Sequence, residues 1–136
     1  MRPRLLPLLG LALLLLGAAA CSRPSSVEQY VFDDGTGQFD FTVDLSDSLC
    51  VYDLSFYTRL ESRLAPPGFP VRIYWTSPSG AQYAESLFYD ASDGLVVPYR
   101  ADLQPVEFGV WQLSVRARAE GLKGMGLICT RKEPAE

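Results

Sequence analysis

Carboxylates, tyrosines, arginines and cysteines are the side chains in this sequence with chemistry to offer. Asp33-Asp34-Gly35 sets two hard oxygen donors on a turn, the donor type that Ca²⁺ takes. The D-x-D-x-D-G spacing of a calcium loop is missing, and two Asp before a Gly form a solvated turn unaided. Asp90 and Asp93 are the residue types that flank a glycosidic bond in glycosidases, yet Asp residues around a turn serve the turn itself. Tyr57, Tyr74, Tyr83 and Tyr89 fall on or near outward strand phases and form a candidate binding face. Exposed tyrosines stack on sugars or on a protein partner; the alternative is cross-strand pairing. Arg72, Arg116 and Arg118 lie on polar strand faces, where acidic neighbours would pair with them. Histidine is absent, which removes Ser-His-Asp and Cys-His sites and most zinc and haem ligand sets. No catalytic residue, cofactor site or metal site is expected.

Strands must position these groups. The chain has 136 residues, room for one domain, with 48% hydrophobic and 21% charged residues, a globular composition. Its net charge of −4 argues against nucleic acid as a partner, since that requires a clustered basic footprint. Phe39–Asp44 alternates apolar and polar residues, as do Cys50–Arg59, Val71–Trp75 and Val110–Arg118. Val27–Phe32, Ala81–Tyr89, Leu95–Tyr99 and Gly124–Thr130 read as further strands, with Pro98 confining its strand to an edge. Glu61–Pro70 reads as a loop, from its Pro66-Pro67-Gly68 and Pro70. The expectation is an all-β protein, an antiparallel β-sandwich of jelly-roll or immunoglobulin-like type with seven or eight strands over 30–131. Residues 132–136 are expected to fray.

The segment 1–20 reads as a signal peptide: Arg2 and Arg4, an apolar run from Leu5 to Leu16, then Gly17-Ala18-Ala19-Ala20. Gly17–Cys21 resembles the lipobox of bacterial lipoproteins. That resemblance implies acylation of Cys21, cleavage before it, and a mature chain anchored by its first residue, with 21–29 as lipidated cysteine and linker. Buried acyl chains contribute about 0.8 kcal/mol per CH₂, so several hold firmly. Ser22, where an Asp would signal inner-membrane retention in that class, implies the outer membrane, and Ser22-Arg23-Pro24-Ser25-Ser26, without the acidic run of surface-exported lipoproteins, implies its periplasmic face. Cys50 and Cys129 then remain in an oxidising compartment, on inward strand phases, either as a disulfide or as two buried thiols.

Tyr52-Asp53-Leu54-Ser55-Phe56-Tyr57-Thr58-Arg59 resembles the Y-x-L-x-I-x-x-R strand of GldH-type gliding-motility lipoproteins of Bacteroidota. Phe39–Asp44 is similar to that family's F-x-F-x-V-D strand, Ser77-Pro78-Ser79-Gly80 to its x-P-x-G hairpin, and Phe108–Val115 to its F-x-x-G-x-Y-x-F-x-I segment. The resemblance implies a non-enzymatic envelope protein, a structural or interaction component linked to gliding motility or type IX secretion. The alternative is a glycan- or peptide-binding module that uses the tyrosine face.

Overall fold

A computed structural model describes residues 24–61, 68–90 and 95–134. The signal segment, Cys21, Ser22 and Asp93 lie outside the described residues. Eight strands run in order: β1 Ser25–Phe32, β2 Gln38–Leu45, β3 Val51–Leu60, β4 Gly68–Thr76, β5 Gln82–Asp90, β6 Val97–Leu103, β7 Gly109–Ala117 and β8 Leu122–Lys132. They form two antiparallel four-stranded sheets, ordered β1-β8-β3-β6 and β2-β7-β4-β5. The pairs β1/β8, β2/β7, β3/β6 and β4/β5 are nested about the middle of the chain. This is one long hairpin wrapped into a sandwich, the jelly-roll arrangement. An immunoglobulin sandwich instead sets its first strand in an A-B-E-D sheet.

Period-two alternation builds the core. Phe39, Phe41, Val43 and Leu45 of β2 face Leu54 and Phe56 of β3 and Met125 and Leu127 of β8 across the sandwich, all buried. Val71 and Ile73 of β4 and Leu113 and Val115 of β7 complete the layer. Each such side chain contributes roughly 1.5–3 kcal/mol by leaving water, which is why strict alternation specifies the register. On the outer face of the first sheet, Gly126 lies between Tyr30 and Tyr57 in one cross-strand row. The Tyr57 ring lies over that glycine, so closely that a Cβ there would sit 2.0 Å from the ring.

Three boundaries differ from the sequence expectation. β1 begins at Ser25, so Ser25–Gln29 pair with β8 instead of serving as linker. β4 begins at Gly68 and takes in Phe69, buried, and Pro70. Pro70 is tolerated because β4 meets β7 only from Val71 onward. β8 runs through Lys132, the first residue of the segment expected to fray. Arg131 reaches Asp47 at 3.5 Å, and Lys132 lies 2.9 Å from both Asp53 and Asp102. Charge pairing across strands holds these residues in the ladder.

The Cys50–Cys129 disulfide is not formed: Cys129 is a free, buried thiol. Cys129 stands opposite Leu54, four positions along from Cys50. At about 3.3 Å per residue that is roughly 13 Å, well beyond the ~7 Å Cα separation a disulfide can bridge. Cys129 is therefore not bonded to Cys50. Burial, with Asp44 and Asp53 adding to it, pushes the Cys129 thiol up to about 11.

Candidate binding cleft

Each side of a sandwich, where the edges of its two sheets run together, needs a closure. On the β1/β2 side Gln29 of β1 supplies it. Its amide nitrogen donates to the Thr42 carbonyl at 2.6 Å, and its amide oxygen accepts from the Thr42 N–H at 3.2 Å. One side-chain amide thus satisfies both backbone groups of an edge residue, as a neighbouring strand would.

The β5/β6 side is closed by charge and rings. Glu85 of β5 accepts two hydrogen bonds from Arg100 of β6, both 2.7 Å, and one from the Tyr99 hydroxyl. Tyr99 in turn accepts from Trp75 Nε1 at 2.9 Å. The Arg100 guanidinium also lies over the Tyr99 ring, 4.4 Å from its centroid. Burial, reinforced by the bond to the Glu85 carboxylate, raises the Tyr99 pKa. Burial opposes the Arg100 charge, but the Glu85 hydrogen bond and the charges of Tyr99 and Glu85 together leave the guanidinium more basic than usual.

Beyond this bridge the sheets part and leave an open cleft of about 290 Å³. Trp75, Tyr83 and Trp111 form its aromatic walls, with Leu45, Leu103 and Val106 beside them and Glu85 and Arg100 at one end. Trp75 meets Trp111 edge to face, centroids 5.9 Å apart, and Tyr83 leans on Trp111 at 6.0 Å. The Trp111 indole is anchored by donating to the Glu107 carbonyl at 2.9 Å. Apolar walls with a few convergent polar groups are the usual composition of a small-molecule site.

The backbone explains why the cleft opens here. Asp102 has φ of 53°, the left-handed region, and the β3/β6 register slips on either side of Leu54. A bulge of this kind bends a strand and re-aims the residues beyond it. Leu103, Gln104, Pro105 and Val106, which follow this irregularity, line the cleft. The Asp102 N–H donates to Asp53 at 2.9 Å, which helps hold the unusual conformation.

The four tyrosines expected to share a face are dispersed. Tyr83, 49% exposed, lines the cleft. Tyr57 lies on the outer face of the first sheet, where its hydroxyl donates to Glu28 and its ring stacks on Tyr30. Burial and the Glu28 carboxylate push it up to about 12. Tyr74 lies on the outer face of the second sheet, beneath Arg72 and Arg116. Tyr89 corrects the expectation outright: only 3% exposed, it packs on Phe69 inside the core. Burial pushes it up to about 12. Its hydroxyl and that of Thr58 are both buried and approach one another without closing an ordinary hydrogen bond.

The alternation of Val71–Trp75 and Val110–Arg118 puts Trp75 and Trp111 on the inward phase, but it does not mark them as cleft walls, and sequence reasoning missed Glu85 and Arg100. The available signal was Glu85 itself, a carboxylate on the inward phase of β5. Of the acidic candidates, Asp90 ends β5, and Asp33 and Asp34 form a turn. Asp33 accepts from the Gly35 N–H at 3.1 Å and Asp34 from the Thr36 N–H at 3.0 Å, each side chain folding onto its own turn.

No family model matches this chain, and no curated protein matches it. A solved structure similar to it is that of the infectious bursal disease virus Gx strain, with TM-score 0.39 and 12% identity, covering 82% of this chain and 33% of that one. The chain thus spans about a third of the viral chain, and the likeness is too remote to bear on function.

Proposed function

We propose that this chain is a membrane-tethered, non-enzymatic binding module whose cleft between β5 and β6 takes a carbohydrate. One observation carries the reading: Trp75, Tyr83 and Trp111 line a single open cavity beside the Glu85–Arg100 pair. Aromatic walls give a sugar ring an apolar surface to lie against. Glu85 and Arg100 offer acceptors and donors to its hydroxyls. The jelly-roll fold also hosts lectin domains, which is an analogy of fold and no more. The test is a titration of the full chain in detergent with cello-, chito- and malto-hexaose. Saturable binding to at least one sugar, weakened tenfold or more by Tyr83→Ala, is the expected result. No binding to any of them, or binding that Tyr83→Ala leaves unchanged, would overturn it.

The tether in this proposal is Cys21, acylated after cleavage of residues 1–20 and held at the periplasmic face of the outer membrane. A sulfur in a thioether cannot also sit in a disulfide, so a tethered Cys21 and a cross-linked one exclude one another. Mass spectrometry of the N-terminal peptide from membranes separates them. An S-diacylglyceryl mass supports the tether, and a Cys21–Cys50 cross-link contradicts it.

A second reading keeps the chain as an interaction component of envelope machinery, as the GldH-type resemblance implies. Val106, Phe108 and Val110 favour it, 82%, 47% and 48% exposed around the Trp111 segment. Exposed apolar clusters mark protein contacts. In-cell crosslinking distinguishes the two: enrichment of secretion or motility proteins over a lipoprotein control would support this second reading.

A further inference from the structure

The outer face of the second sheet carries a row that sheet energetics disfavours. Arg116 of β7 stands directly opposite Arg72 of β4. Like charges facing one another across a ladder are destabilising. The row extends to Gln38 of β2 on one side and Ser86 of β5 on the other. All four strands thus present a hydrogen-bond donor here, with no carboxylate in the row. Among the described residues, ion pairs engage Arg100, Lys123, Arg131 and Lys132, and none involves Arg72 or Arg116. The carboxylate of Asp40, one row away, is held by the Gln38 amide at 3.1 Å to each oxygen.

Both guanidinium groups are gathered over one ring. The Arg116 Cζ lies 4.7 Å and the Arg72 Cζ 5.6 Å from the Tyr74 centroid. The aromatic face partly compensates two cations and fixes them side by side. Beside Tyr74, the Ser114 hydroxyl is buried with no hydrogen-bond partner. Two converging guanidinium forks are the arrangement that grips an oxyanion through paired N–H bonds.

We propose that Arg72 and Arg116, seated on Tyr74, form an oxyanion-binding site that takes a sulfate, phosphate or carboxylate group of a ligand. The site lies on an outer sheet face, apart from the cleft residues, and stands or falls independently of the carbohydrate reading. An anion here would relieve the repulsion between the two arginines, so binding and stability should rise together.

The test tracks the arginine Nε–H resonances of the full chain in detergent as sodium sulfate is added, against sodium chloride at matched ionic strength. The expected result is saturable movement of the Arg72 and Arg116 signals with sulfate alone. Arg72→Gln and Arg116→Gln should each weaken binding at least tenfold, while Arg59→Gln should not. A parallel arm with dextran sulfate separates sources: tighter binding per sulfate identifies a polymer-borne group, and equal binding a free anion. Linear, unsaturated movement shared equally by Arg59 and Arg118 would be ionic screening and would overturn the proposal. Should a variant fail to fold, the wild-type Tm decides: a rise that saturates at low sulfate supports the site, and a rise that only grows in proportion to sulfate, the general kosmotropic effect, contradicts it.

Discussion

The two sides of the sandwich solve one problem in different ways. On the β1/β2 side a neutral amide, Gln29, caps the backbone of Thr42. On the β5/β6 side a charged pair and two aromatic rings span the gap, and the sheets part beside them. A seal needs only to satisfy backbone groups. A site must hold polar groups within reach of a ligand, and here Glu85 and Arg100 remain partly exposed. The difference teaches that the side with costlier chemistry is the side to test for function.

The comparison breaks most readily at Trp111, 6% exposed and packed against both the core and the cleft. Trp111→Ala should cost about 3–5 kcal/mol, measured by urea denaturation. A loss below about 1 kcal/mol would show that this wall is not integrated with the core.

Alkaline pH sharpens the contrast next. Tyr99 and Tyr89, on β6 and β5, both have pKa values raised by burial, Tyr89 to about 12. The unfolded chain loses these protons first, near the ordinary tyrosine value of about 10. Their contribution is complete below that pH and is lost as pH rises toward the folded values. The urea midpoint should therefore fall steadily between about pH 10 and 12, with Tyr57 of β3 adding to the fall. A flat midpoint would contradict the burial of these hydroxyls.

Gln29→Ala removes one amide from a half-buried edge where water can replace it, a loss of about 1 kcal/mol, readable as a small drop in Tm. Glu85→Gln has the smallest expected effect on stability. Partly exposed ion pairs contribute roughly 0.2–1 kcal/mol, and a glutamine oxygen still accepts from Tyr99. Ligand binding should suffer more than stability in this variant. A stability loss exceeding that of Gln29→Ala would make the bridge a structural clamp.

The eight strands were legible in the sequence because burial tracks period-two alternation so closely in β2, β3, β4 and β7. The cleft was not. In β5 the inward phase holds Tyr83, Glu85, Leu87 and Tyr89, whereas Phe88 points out, 71% exposed. Neither phase is uniformly apolar, so sequence could not tell buried Tyr89 from cleft-lining Tyr83. The opening itself depends on the left-handed Asp102 and the slipped β3/β6 register, to which no local residue pattern points. The position of Cys129 likewise depends on pairing register, which placed it opposite Leu54.

The most direct measurement uses the two tryptophans of the chain, both of which line the cleft. Two indole N–H resonances then report the β5/β6 side, and the Gln29 side-chain amide reports the other. On addition of the hexasaccharide that binds tightest, both indole signals should shift saturably while the Gln29 amide stays fixed. Still indole signals, or movement centred on Gln29, would contradict the assignment of the cleft as the binding site.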